Sequence, residues 1–245
     1  MITCLDIGNS RIKRVLFDSD GLIMERSIFP SLKGGTDDEI AAQIEKLSCG
    51  ADMLAVSNVV RAYEKQFSSS GEFSDSFVAS ENMVLPFRIN YEKGKLGPDR
   101  ICAATGALSL FPDTNLVVVD AGTALTFGVL LSEGVFDGGL ITAGVYTAIR
   151  ALADRASALG EIPFEATDKL VGQGTSAALR SGFFNGYSSL VEGVFSRIER
   201  KYGRTFKLIL TGGCSEVLSQ GIGIPHHRDE DLVIKGLYAL FLLNR

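Results

Sequence analysis

The sequence predicts a duplicated α/β fold, two successive blocks of strands and helices with a cleft between them. Three observations carry this. The segment Leu5-Asp6-Ile7-Gly8-Asn9-Ser10 recurs 114 residues later as Val119-Asp120-Ala121-Gly122-Thr123-Ala124. In both blocks an apolar strand runs into Asp-x-Gly and a second strand follows, as Val15-Leu16-Phe17 and Val129-Leu130-Leu131 at the same offset. One Asp-x-Gly occurs by chance, whereas two at matching places in successive α/β blocks indicate duplication. Glycine is also in excess, at 27 of 245 residues, with only 6 Pro and no collagen period. Those glycines serve tight turns, close packing or close backbone approach to a ligand. The expected domains are 1–114 and 115–245.

The first block opens with three strands. Ile2–Ile7 is apolar, Arg11–Phe17 alternates, and Leu22–Phe29 follows an Asp20-Gly21 turn. Thr36 then caps a helix whose acidic first turn precedes Ile40, Ile44 and Leu47 at helical spacing. Short strands are expected at Met53–Val59 and Phe87–Tyr91. Pro98 sits in the first turn of the next helix, a position that tolerates its missing N–H. In the second block, strands are expected at Leu116–Asp120, Leu125–Leu131 and Val135–Ile141, and a helix at Val145–Ala153. A long glycine-bearing helix runs from Thr175 towards Arg200. The strand Phe206–Leu210 ends in Thr211-Gly212-Gly213, and a helix from about Asp229 to Leu243 closes the chain.

Composition narrows the function classes. The formal net charge is −5 and no concentrated basic face is evident, so nucleic acid is not an expected partner. Apolar residues are 46% and charged residues 22%, which fits a globular chain. The longest apolar runs are far short of the roughly 20 residues of a membrane span, and the N-terminus lacks a signal-peptide pattern. A cytoplasmic protein with no membrane partner is expected. Cys4, Cys49, Cys102 and Cys214 are scattered without a CxxC pair and read as reduced thiols. His226 and His227 lie in a Pro-His-His-Arg-Asp stretch and read as a solvated turn.

The repeated hairpin has a chemistry of its own. A glycine after the strand lets backbone N–H groups approach an anion. The preceding Asp can hold a divalent cation, directly or through water. Asn9, Ser10 and Thr123 add donors, and Lys13 on the second strand adds positive charge. Each hairpin alone is also an ordinary turn; the pair suggests a grip on a polyphosphate. Thr211-Gly212-Gly213 would let an adenine or ribose lie against the backbone, or is a plain strand-to-helix turn. Gly138-Gly139 fits close strand packing. Gly182, Gly186 and Gly193, at near-helical spacing, fit turns and close helix packing, for which a subunit interface is one setting. Asp99 and Arg100 fall at a helix N-terminus. An Asp there is a common cap residue. Its functional reading is a proton acceptor beside an anion-binding Arg, the minimal equipment for phosphoryl transfer.

As an ordered set, Asp6-Ile-Gly-Asn-Ser10, Gly97-Pro-Asp-Arg100, Asp120-Ala-Gly-Thr-Ala124, Gly138-Gly-Leu-Ile-Thr-Ala-Gly144, Gly174-Thr175 and Thr211-Gly-Gly213 resemble type III pantothenate kinases. The likeness spans nearly the whole chain, to Lys235-Gly-Leu-Tyr and Asn244. That family belongs to the acetate-kinase/sugar-kinase/Hsp70/actin superfamily. The resemblance implies two actin-like (ribonuclease H-like) halves and a homodimer. It implies transfer of the ATP γ-phosphoryl group to the 4′-hydroxyl of pantothenate, the first step towards coenzyme A. By position, Asp6, Ile7, Gly8, Asn9, Ser10, Arg11, Ile12 and Lys13 would form the phosphate hairpin. Asp6 would stand near Mg²⁺, held through water. Asp99 would be the general base, with Tyr91, Gly97, Pro98, Asp99 and Arg100 lining the pantothenate pocket. Asp120 would hold a monovalent cation (K⁺ or NH4⁺), Thr123 would contact ATP, and Thr175 would contact pantothenate. Three positions depart from the family pattern: Ala121 for a Phe, Gly128 for an Asp, and Ala143 for a Pro. The alternatives are a kinase of another small hydroxyl or carboxylate acceptor, and a non-catalytic transcription accessory factor.

Overall fold

The computed structural model describes residues 1–156 and 162–245. They form two compact units, Met1–Phe111 with Asp231–Arg245, and Pro112–Glu230.

The first unit is built on five strands: β1 (Ile2–Ile7), β2 (Arg11–Phe17), β3 (Ile23–Pro30), β4 (Met53–Asn58) and β5 (Phe77–Val78), in the spatial order β3-β2-β1-β4-β5. β1 is antiparallel to β2 and parallel to β4. Because strand side chains alternate between faces, Leu5, Ile7, Ile12 and Val56 meet Ile40, Ile44 and Leu47 of α1 (Asp37–Ser48) on one face. Thr36 and Glu39 form a reciprocal capping box that starts α1. The buried Arg14 guanidinium donates to the carbonyls of Leu47 and Cys49, at 2.6 and 3.2 Å, and so satisfies the helix's far end. The chain then makes a short helix α2 (Arg61–Glu64), a two-residue strand β6 (Arg88–Ile89) and α3 (Pro98–Leu110). Of the five residues expected to be extended at 87–91, only Arg88 and Ile89 are paired.

The second unit repeats the plan. Strands β7 (Leu116–Ala121), β8 (Ala124–Leu131), β9 (Val135–Ala143), β10 (Lys207–Thr211) and β11 (His226–Arg228) lie in the order β9-β8-β7-β10-β11. Both sheets thus place their first five strands as 3-2-1-4-5, with antiparallel pairing around the hairpin and parallel pairing beyond. Helices α4 (Val145–Arg155), α5 (Thr175–Tyr202) and α6 (Ser215–Gly221) complete the unit. The core is Val117, Val119, Phe127 and Leu210 against Val191, Phe195 and Leu218.

Three expectations change. The second hairpin is one residue tighter: Asp6 opposes Lys13, but Asp120 opposes Thr126. Beyond the turn the repeats therefore match at an offset of 113, and the position equivalent to Lys13 is Thr126. The closing helix α7 (Leu232–Leu243) joins the first unit rather than the second. Its apolar face packs on α3, where Gly106 and Gly236 let the two backbones touch. Finally, His226 and His227 are half-buried in an edge strand, paired with Leu208 and Ile209, and not in a solvated turn.

Candidate active site

The face of the first sheet opposite α1 carries Cys4 and Asp6 on β1, Val15 and Lys13 opposite them on β2, and Ala55 and Ser57 beside them on β4. Helices α3 and α7 cover this face. The Ser57 hydroxyl donates to Asp6 Oδ1 at 3.1 Å. Burial first, and the Asp99 carboxylate second, push the Asp6 carboxyl up to about 6, against the pull of Ser57, Lys13 and Arg11. Asp6 and Asp99, which are 93 residues apart in sequence, are therefore electrostatic neighbours.

Asp99 lies in the first turn of α3, after Gly97 as the N-cap and Pro98. Its Oδ1 accepts the Arg100 N–H at 2.8 Å. A Cβ at position 97 would sit 2.5 Å from that oxygen, so the glycine makes room for the carboxylate. Burial raises the Asp99 carboxyl above its ordinary value, partly offset by the Arg100 N–H and guanidinium. The Arg100 side chain is buried and lies 5.1 Å from the centroid of the exposed Tyr91 ring. Glu81 accepts the backbone N–H groups of Gly94 and Leu96, at 2.7 and 2.5 Å, and ties down the loop between Tyr91 and Gly97. Cys4 and Cys102 share the region, but burial raises both thiols far above neutrality, so neither is a nucleophile there.

At the β1–β2 turn, Gly8 N–H donates to Arg11 C=O at 3.0 Å, and Ser31 Oγ donates to Gly8 C=O at 2.5 Å. This leaves Asn9, Ser10 and Arg11 exposed at the tip. Ile7 and Ile12 are wholly buried against α1, so only their backbone reaches the turn.

In the second unit Asp120 is the penultimate residue of β7, next to Thr211 on β10. Gly212 adopts a left-handed φ of +88°, and a Cβ there would fall 2.2 Å from Asp120 Oδ1. That glycine therefore serves the seating of Asp120. Gly144 does the same for the Asp-x-Gly-Thr turn: its N–H donates to Thr123 C=O at 3.0 Å, and a Cβ would lie 2.1 Å from Gly122 C=O. The Thr147 hydroxyl donates to the same Thr123 carbonyl at 2.7 Å. Of the departures, Ala121 is buried in the core, Ala143 C=O accepts the Tyr187 hydroxyl at 3.1 Å, and Gly128 faces the Phe136 ring. A side chain at 128 would press on that ring at 3.1 Å, so glycine and phenylalanine here are a matched pair. Thr175 is exposed at the first position of α5.

The structure thus gathers Asp6, Lys13, Asp99, Arg100 and Tyr91 in the first unit, and Asp120, Gly122, Thr123, Gly144 and Gly212 in the second. Ser57, Glu81 and Asp231 went unnoticed in the sequence; Asp231 holds Lys13 at 2.6 Å. Ser57 had a faint signal, a lone hydroxyl in an apolar strand. Glu81 had none.

The family model described as type III pantothenate kinase matches residues 2–197. The chain belongs to the type III pantothenate kinase family. The type III pantothenate kinase of Hyphomonas neptunium is 30% identical over the full length of both chains. That of Sulfurihydrogenibium sp. is 34% identical over 76% of this chain and 75% of its own. Among solved structures, a conserved putative Baf family transcriptional activator from Campylobacter jejuni superposes with a TM-score of 0.66 at 20% identity, over 99% of this chain and 98% of that one. The activator of 2-hydroxyisocaproyl-CoA dehydratase from Clostridium difficile, with bound ADPNP, gives 0.56 at 15% identity, over 98% and 94%. At these identities the structures speak for the fold, which is the actin-like one expected for pantothenate kinases of this type. Among the described residues no group of three or more acidic, His or Cys side chains is arranged to hold a metal ion, and no helix is long and apolar enough to cross a membrane.

Proposed function

We propose that this chain transfers the γ-phosphoryl group of ATP to the 4′-hydroxyl of pantothenate, giving 4′-phosphopantothenate and ADP. The observation that carries the reading is the pairing of Asp6 and Asp99, two half-buried carboxylates raised above their usual range, in a chain of this family. Raised values cluster where proton transfer and charge stabilisation are needed.

In the reaction the acceptor oxygen bonds to the γ-phosphorus as the bond from phosphorus to the β–γ bridging oxygen breaks, and the hydroxyl proton passes to the Asp99 carboxylate. Burial makes Asp99 a stronger base than a surface carboxylate, which suits it to that proton. Arg100, held under Tyr91, faces the acceptor's carboxylate. The β1–β2 turn, with Asn9, Ser10 and Arg11 at its tip and Lys13 behind it, takes the phosphates. A Mg²⁺ ion fits here only as a partner of the nucleotide: Asp6 offers one carboxylate, already shared with Ser57, and among the described residues no group of three acidic, His or Cys side chains surrounds it. When bound it neutralises charge developing on the phosphates. Asp120, seated by Gly212, fits a single monovalent cation, with Thr123 beside it as a nucleotide contact and Thr175 as an acceptor contact. We assign the working form as a homodimer.

The test is direct. Purified protein with ATP, Mg²⁺, K⁺ and pantothenate is expected to form 4′-phosphopantothenate, read by mass spectrometry. Asp99→Asn is expected to lower kcat by about 10²–10⁴, the usual worth of a positioned base, with its melting temperature retained. No phosphopantothenate from the parent protein, or full turnover in Asp99→Asn, overturns the reading.

A further inference from the structure

We infer that Asp231 is a positioning residue for the nucleotide phosphates, acting through Lys13. The inference rests on the reading of the β1–β2 hairpin as the phosphate site. Lys13 is directly opposite Asp6 across the β1–β2 pair, so the two side chains share a face and neighbouring space. Left to itself, a lysine on a flexible four-carbon stem there would fold onto Asp6, its facing carboxylate, and occupy the charge that a nucleotide-bound cation needs. The structure shows a different arrangement. The Lys13 ammonium lies 2.6 Å from Asp231 Oδ1, while Asp6 takes the Ser57 hydroxyl. The Asp231 side chain is 5% exposed and that of Lys13 is 18% exposed, so the pair is shielded and held rather than fluctuating at the surface. Arg26 on β3 donates to the other oxygen of the same carboxylate at 2.9 Å. Asp231 also has a fixed backbone, as the N-cap residue of α7, where the chain re-enters the first unit. The geometry is that of a carboxylate bridging two cations, one of which belongs to the hairpin.

Asp231 touches no reacting atom in this account. It ties the Lys13 ammonium to a carboxylate other than Asp6, so that the hairpin meets the phosphates with its positive charge already in place. Such preorganisation strengthens binding by removing the entropy cost of fixing a long side chain.

A double-mutant cycle tests this, read by calorimetric affinity for a non-hydrolysable ATP analogue with Mg²⁺. Asp231→Asn is expected to weaken binding about tenfold, the equivalent of one charge-assisted contact, and to leave the pantothenate KM within about twofold. In a Lys13→Met background the same substitution is expected to change affinity less than about twofold, because residues acting as a unit are non-additive. Arg26→Met separates the other half of the bridge and is expected to leave affinity near that of the parent. Asp231→Glu keeps the charge and tests the same cycle with a milder change, about threefold in the parent and none in Lys13→Met. It carries the test alone if the Asn variant does not fold. Unchanged affinity in the Asp231 variants, or an equal loss with and without Lys13, overturns the inference. Because the readout is nucleotide binding, failure to phosphorylate pantothenate would count against the proposed acceptor and leave this result standing.

Discussion

At the scale of single residues, the site holds charge at a cost to the fold. Asp6 is half-buried, feels the Asp99 carboxylate, and has its carboxyl raised to about 6 from an ordinary value near 3.8. A carboxyl whose folded pKa lies above its unfolded one binds protons more tightly in the native state. Its contribution to stability is therefore most favourable at low pH, declines as pH rises from about 4 to about 6, and stays unfavourable above that. In metal-free protein at pH 7.5, Asp6→Asn is thus expected to raise stability, by on the order of 1–3 kcal/mol, while abolishing phosphoryl transfer. For a chain of this size that is several degrees in melting temperature. The gain should shrink as pH falls through 6 towards 4. Melting curves of parent and variant in chelator, across that range, check it; a destabilised Asp6→Asn at pH 7.5 would show that the Ser57 and Lys13 contacts outweigh burial. The Asp6 motif was legible in the sequence because Asp-x-Gly recurs. Its raised proton affinity was not, since that comes from burial in the fold and then from Asp99, 93 residues away in sequence.

At the scale of elements, most boundaries could be read locally. Thr36 and Glu39 announce the start of α1, Pro98 that of α3, and the alternation of Arg11–Phe17 shows β2. What could not be read was which helix lies on which. The apolar face of α7 gives its need for burial but not its partner. That partner is set by two glycines 130 residues apart. A Cβ at Gly236 would lie 1.8 Å from the Cys102 carbonyl oxygen, and one at Gly106 would lie 2.4 Å from that of Leu232. Both obstacles are backbone in helices, which cannot swing aside as a side chain tip can. Gly236→Ala is expected to destabilise the protein by about 2–3 kcal/mol or more, although alanine is the better helix former by about 1 kcal/mol. Because α3 carries Asp99, the same variant is expected to lose turnover beyond its loss of folded protein. Denaturant melts with single-turnover rates on the folded fraction measure both, and an alanine that stabilises would mean that the two helices part freely.

At the scale of the whole molecule, the duplication was visible from one short motif, and the observed strand order repeats it in full. The one-residue slip after the second turn was not visible, because hairpin length changes facing without changing the hydrophobic pattern around Asp-x-Gly. The glycine excess resolves into distinct uses. Gly97, Gly144 and Gly212 stand where a Cβ would strike a site group, and Gly106 and Gly236 where helices touch. Gly182, Gly186 and Gly193 behave differently: an added Cβ at any of them meets nothing within 4 Å. They lie on the exposed side of α5, opposite the buried Phe184, Ser188, Val191 and Phe195. The same unit exposes Ile141, Tyr146, Leu170 and Val171, each more than half accessible. Glycines in mid-helix cost about 1 kcal/mol each relative to alanine, and large exposed apolar side chains add the risk of aggregation. Both costs are offset if a second copy packs closely on α5 and covers the apolar residues. The chain is therefore expected to sediment as a dimer at micromolar concentration. Gly186→Arg puts a long charged side chain on that face while leaving the monomer's own packing untouched, so it is expected to shift sedimentation to the monomer with folded secondary structure retained. A parent that sediments as a monomer, or a Gly186→Arg variant that remains dimeric, would remove α5 from the subunit interface.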